Sequence, residues 1–116
     1  MENDKLIFGL ARRHYRDIEH VFRRYPHVEK VLIFGSRAKG TDKPYSDIDL
    51  AVVAPQMDDQ EFSRLWNELE ALELVFKLDV LHFDKLCQQN LKQSITTHGL
   101  DFYPLSEDLT PERSVS

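Results

Sequence analysis

Apolar residues recur at three- and four-residue steps along the start of the chain. Ile7, Leu10, Ala11, Ile18, Val21, Phe22 and Tyr25 share one face, with Arg12, Arg13, Arg16, Arg23 and Arg24 between them. That spacing predicts a helix over 5–25, stopped by Pro26. The period then shortens. Val28 to Phe34 contains the run Val31-Leu32-Ile33-Phe34, which reads as a buried strand ending at Gly35. Gly40, Asp42 and Pro44 mark a loop. Asp47 to Ala54 reads as a second strand with Ile48, Leu50 and Val52 on one face, ended by Pro55. The helical period returns over 58–74, where Phe62, Leu65, Trp66, Leu69 and Leu72 form the stripe and Asp58 and Asp59 suit the positive N-terminus. Lys77 to Phe83 reads as a third strand. Asp84 is placed to cap a last helix through about His98, with Leu86, Cys87, Leu91 and Ile95 facing inward and Gly99 as terminator. Leu100 to Leu105 reads as a short edge strand.

This alternation predicts an α/β (α+β) fold: a mixed β-sheet with helices mainly on one face. A single domain is expected over 1–105. The segment 106–116 contains no aromatic residue and only two aliphatic ones, Leu109 and Val115, and is expected to be poorly ordered. At 116 residues there is room for one core and not two. No apolar run approaches the roughly 20 residues of a membrane span, and the polar start Met1-Glu2-Asn3-Asp4-Lys5 is unlike a signal peptide. A single cysteine, Cys87, excludes an internal disulfide and a cysteine-based zinc finger. A cytoplasmic protein, with no membrane association, is therefore expected.

The net charge of −5 argues against general nucleic-acid binding. The charge is unevenly placed. Residues 1–46 hold ten Lys/Arg and six Asp/Glu, and residues 47–116 hold five and fourteen. A basic part beside an acidic part fits a phosphate-attracting side and a metal-attracting side, although two oppositely charged solvated helix faces would give the same count.

The candidate chemistry lies in Gly35-Ser36-Arg37-Ala38-Lys39-Gly40 and in Ser46-Asp47-Ile48-Asp49-Leu50. On a strand, Asp47 and Asp49 share a face, with α-carbons about 6.6 Å apart. Two carboxylates so placed can converge on a hard cation; without one they repel. Taken alone, they could equally be two exposed aspartates on a half-wet strand. Gly35 and Ser36 sit where a buried strand turns. Glycine allows close approach to the backbone, and free N–H groups at such a turn suit an anion. Arg37, Lys39 and Lys43 add positive charge nearby. A third carboxylate, Asp79, lies in the strand-like Lys77-Leu78-Asp79-Val80-Leu81 and would complete a triad if that strand pairs beside the second; Asp84 is the next candidate. Three carboxylates beside a phosphate-holding turn describe a magnesium-dependent nucleotidyl transfer site.

Gly35-Ser36, ten intervening residues and Asp47-Ile48-Asp49 resemble the signature of the DNA polymerase beta-like nucleotidyltransferase superfamily. The Gly-Ser-Arg-Ala-Lys-Gly variant on a short chain resembles its minimal nucleotidyltransferases, the MNT proteins. The resemblance spans about residues 28–105, with 5–25 matching as a leading helix by pattern only. It implies a nucleotidyltransferase core fold, triphosphate held at Gly35, Ser36 and Arg37, and Mg²⁺, as two ions, bound by Asp47, Asp49 and Asp79. It further implies ATP as substrate and a HEPN-family helical protein as partner, the two forming a toxin–antitoxin pair. In that reading the MNT protein is the antitoxin, transferring AMP to a tyrosine of the toxin, and a homodimer is expected when it is alone. Transfer to a small-molecule hydroxyl, and a non-catalytic nucleotide-binding partner subunit, are the competing readings.

The remaining chemistry-bearing residues weigh less. His14, His20, His27, His82 and His98 lack metal-site spacing and read as surface or capping residues. By alternation His82 should face away from Asp79. Cys87 and Trp66 fall on apolar stripes and read as core.

Overall fold

The computed structural model describes residue 8 and residues 10–35, 47–74 and 76–104. Chain order is α1 (Arg12–Arg23), β1 (Lys30–Phe34), β2 (Ile48–Val53), α2 (Asp59–Glu70), β3 (Leu78–His82), a single 3₁₀ turn (Phe83–Lys85), α3 (Gln89–His98) and β4 (Leu100–Tyr103). The strands form one mixed sheet in the order β3-β2-β1-β4. β1 pairs antiparallel with both β2 and β4, and β2 pairs parallel with β3. The expected α+β architecture is thus present.

The strand alternation sorts the two faces. Val31 and Ile33 of β1, Ile48, Leu50 and Val52 of β2, Leu78 and Val80 of β3 and Phe102 of β4 join Ile18, Val21 and Phe22 of α1 and Leu65 and Leu69 of α2 in the main core. Burying these side chains, each worth roughly 1.5–3 kcal/mol, holds both helices on that face. The other face carries a smaller cluster of Leu32, Ala51 and Ile95, with Phe34, Phe83, Leu86 and Leu91 packed around it, and this is where α3 lies. Helices therefore sit mainly, though not wholly, on one face.

Specific polar contacts fix the helices. The Tyr15 hydroxyl donates to the Phe102 carbonyl at 2.6 Å, tying α1 to β4. The Tyr25 hydroxyl and the Arg24 guanidinium both donate to Glu68, and His27 meets Glu61 at 2.9 Å, tying the end of α1 to α2. Burial and the Glu68 hydrogen bond push the Tyr25 phenol up to about 12. Asp58 caps α2 as its sequence position suggested, accepting from the Glu61 N–H at 2.8 Å.

Several expectations need correction. α1 begins at Arg12: Leu10 forms a β-bridge and Ala11 is extended, with φ −60° and ψ 147°. α2 stops at Glu70, and Ala71 is its C-cap. Asp84 does not cap the last helix, because its carboxylate instead accepts from the Ala54 N–H at 2.7 Å; the helix starts later, at Gln89. Cys87 consequently lies in the extended link before α3, where a helical stripe does not apply, and it is exposed. Trp66 is 40% exposed, since Leu65 and Leu69 take the inward line of α2 and Trp66 falls one position past it. His82 is buried, with its Nε2 2.9 Å from the Ala54 carbonyl and its ring stacked on Phe62. It does face away from Asp79, as alternation requires. Leu105 and the segment 106–116 lie outside the described residues, as do 1–7 and Gly9. Among the described residues no helix is long and apolar enough to cross a membrane.

Candidate active site

β2 is flanked by β1 and β3, so Asp49 has a register partner on each side: Phe34 of β1 and Asp79 of β3. Register partners share a face, and neighbouring strands lie about 4.8 Å apart. Asp49 and Asp79 therefore stand side by side. Ile48 and Leu50, which flank Asp49 in sequence, are fully buried in the main core, so Asp49 is turned to the opposite face. Asp47, two residues earlier and just ahead of β2, is exposed and carries the same line of carboxylates toward the end of the sheet.

The electrostatics bear out this grouping. The Asp49 carboxyl is raised above the usual carboxylate range, first by burial, then by the charge of Asp79 and then by that of Asp47. Both neighbours are thus close enough to oppose ionisation of the half-buried central member.

Gly35 closes the site from the β1 side. Its φ of +81° is one that glycine adopts without strain. A Cβ at this position would stand 2.4 Å from Asp49 Oδ2, so the carboxylate occupies the space that any other residue would need. The turn that leaves β1 and the carboxylate at the start of β2 are fitted to each other. Ser36 and Arg37, the other two residues assigned to phosphate binding, lie outside the described residues.

The structure therefore brings together Gly35, Asp47, Asp49 and Asp79. It keeps Asp84 apart, beyond the far end of β3 and bonded to Ala54. Among the described residues no three His, Cys, Asp or Glu side chains are already arranged to hold a metal ion. The donor set nonetheless fits one: three carboxylates offer hard oxygen ligands of the kind magnesium takes, and their mutual repulsion is what a divalent cation would relieve. Two features escaped the sequence reading. Phe34 shares the site face through its register with Asp49, a pairing that needs the strand alignment. A 430 Å³ groove lined by Phe62, Ser63, Trp66, Asn67 and Val80 opens beside β3 on the other face. The only hint of it in the sequence was a tryptophan one step off the line of leucines.

The polymerase beta nucleotidyltransferase family matches residues 16–108, a span that contains the whole sheet and all of these residues. No curated protein sequence matches the chain. Among solved structures, a toxin–antitoxin complex with AMP-PNP contains a chain 26% identical, with a TM-score of 0.62 over 81% of this chain and 76% of that one. A mutant of the toxin–antitoxin MntA–HpeT contains a chain 22% identical, with a TM-score of 0.60 over 81% and 75%, a likeness of fold. The family match runs through most of the chain, from α1 to past β4, and the chain belongs to the polymerase beta nucleotidyltransferase family.

Proposed function

We propose that this chain transfers AMP from ATP to a hydroxyl of a partner protein, as the antitoxin of a toxin–antitoxin pair whose toxin is a HEPN-family helical protein. The observation that carries the reading is Asp49, half-buried under Gly35 and opposed by both Asp79 and Asp47. An arrangement that raises the energy of its own charged form is one that a bound cation would relieve. Family membership supports nucleotidyl transfer, and the 26% identical chain of a toxin–antitoxin complex with AMP-PNP supports the nucleotide and the kind of partner.

In this reading Asp47, Asp49 and Asp79 would hold magnesium, as two ions, and the turn Gly35-Ser36 with Arg37 would hold the triphosphate. Bound magnesium would screen the triphosphate charge and favour ionisation of the acceptor hydroxyl. The hydroxyl oxygen forms a bond to the α-phosphorus of ATP, the bond from that phosphorus to the bridging oxygen breaks, and pyrophosphate leaves. Asp79, exposed and carried on the edge strand β3, takes the hydroxyl proton and passes it to solvent. Asp49, half-buried with a carboxylate on either side, serves as ligand.

Incubation with α-labelled ATP, magnesium and the product of the neighbouring gene tests the proposal, with intact mass as readout. The expected result is addition of adenylate to the partner, abolished by chelator. An unmodified partner at full ATP and magnesium would overturn it.

A further inference from the structure

β3 is an edge strand: it pairs with β2 on one side, and among the described residues no strand pairs with its other side. Its residues alternate between two places. Asp79 stands on the site face in register with Asp49. Val80, the next residue, lines the groove on the opposite face with Phe62, Ser63, Trp66 and Asn67. The groove is half apolar, and its rim includes an exposed tryptophan that the core does not use. A half-apolar groove and a reaction site thus flank one strand edge that is unpaired among the described residues, a single residue apart.

An unpaired edge offers N–H and C=O groups to an extended segment, and pockets beside it read alternate side chains. A strand added to β3 would place one side chain in the groove and the next on the face of Asp79. The charge of the surroundings selects among such segments. Asp58 to Asp84, which supplies both α2 and β3, holds eight carboxylates and two cations, Arg64 and Lys77. Four carboxylates are occupied: Asp58 by the Glu61 N–H, Glu61 by His27, Glu68 by Arg24 and Tyr25, and Asp84 by Ala54. Asp59 has Lys85 at 3.9 Å, while Glu70 and Glu73 are exposed. The balance around the groove stays negative.

We propose that the acceptor protein docks by adding a basic, extended segment to the free edge of β3. One of its apolar side chains enters the groove at Trp66 and Val80, and the hydroxyl-bearing residue next to it reaches the face of Asp79. This rests on the reading of the site as one that modifies a protein hydroxyl, and it adds the chemistry of the segment: a hydroxyl residue directly beside an apolar one, between basic residues.

Trp66 is the only tryptophan of the chain, so its fluorescence reports the groove without reference to catalysis. The probe is the peptide Lys-Arg-Leu-Tyr-Leu-Lys, with Glu-Asp-Leu-Tyr-Leu-Glu as its charge-reversed control. The basic peptide is expected to shift the Trp66 emission saturably and the acidic one to bind at least tenfold more weakly. Asp49→Asn should keep the shift, since docking does not need the site's charge. Ser63→Arg, an exposed position on α2 whose fold is checked by thermal melting, should weaken the basic peptide at least tenfold. Methylating the backbone amides of alternate residues should abolish binding for one set and spare it for the other. No saturable shift, equal binding of the two peptides, indifference to Ser63→Arg, or equal effects of the two methylation patterns would each overturn the proposal. Labelling of the peptide tyrosine with ATP and magnesium is read separately. Docking without labelling would leave the groove in place and count against nucleotidyl transfer alone.

Discussion

Replacing Gly35 by alanine separates the fold from the chemistry. The substitution acts in two ways that differ in size and in kind. At φ +81° an L-residue is strained by about 1–2 kcal/mol, whatever its surroundings. The new methyl would also stand 2.4 Å from Asp49 Oδ2, where ordinary contact begins at 3.4 Å, so the carboxylate must retreat by the difference, 1.0 Å. That atom is the free end of a side chain and can swing aside at little cost in stability. The Asp49 Cβ, at 3.7 Å, is already in ordinary contact and need not move. Melting temperature should therefore fall by about 4–8 °C, the effect of the backbone strain alone. The same fall should appear in the Asp49→Ala background, because the atom that clashes is absent there. The site suffers more: a ligand displaced by about 1 Å should reduce transfer roughly 100-fold. It should also weaken the stabilisation that magnesium gives the folded chain. Thermal melts with and without magnesium, run beside transfer assays on the four proteins of the cycle, give both quantities. Transfer at the parent rate by Gly35→Ala would refute the fit between glycine turn and carboxylate.

Asp49→Asn should raise the melting temperature of the metal-free protein at neutral pH, because the raised carboxyl favours the folded state only when protonated. That contribution is complete below the ordinary aspartate range, near about pH 3.9, and is lost as pH rises through the folded-state value, so the gain should vanish in acid melts. Glu68 should behave in the opposite sense. Its carboxyl is lowered by the Tyr25 and Arg24 hydrogen bonds, so it stabilises above the ordinary glutamate range and loses that effect as pH falls through its folded-state value. Glu68→Gln should accordingly lower the melting temperature at neutral pH, with the difference closing in acid. Tyr15→Phe removes the donor to the Phe102 carbonyl and should cost about 1–2 kcal/mol in chemical denaturation, leaving magnesium-dependent nucleotide binding unchanged.

The sheet and its site were legible because their signal is local. Ile48-Asp49-Leu50 states in three residues that one face is core and the other is not, and burial follows that alternation. Asp79 was found by the same pattern, but its pairing with Asp49 rests on strand order, which spacing alone does not determine. Elements decided by distant partners were read less well. Asp84 looked like a cap until the Ala54 N–H claimed it, and Cys87 lost its helix with that change. His82 reads as a surface or capping residue in the sequence, because nothing nearby in sequence reveals the Ala54 carbonyl or the Phe62 ring that enclose it. Trp66 sits beside two inward leucines, and a shift of one position along α2 carries it from the core to the rim of a groove.

The central claim is that Asp47, Asp49 and Asp79 make a nucleotide site that works only with a divalent cation. Calorimetric titration of ATP in magnesium and in excess chelator tests it directly, with Asp47→Asn as the control. Without a cation, clustered carboxylates repel a triphosphate; with one, the local charge is inverted. The expected result is saturable binding in magnesium, at least tenfold weaker binding in chelator, and a similar loss for Asp47→Asn in magnesium. Equal affinity in magnesium and chelator, or parent-like binding by Asp47→Asn, would contradict the account.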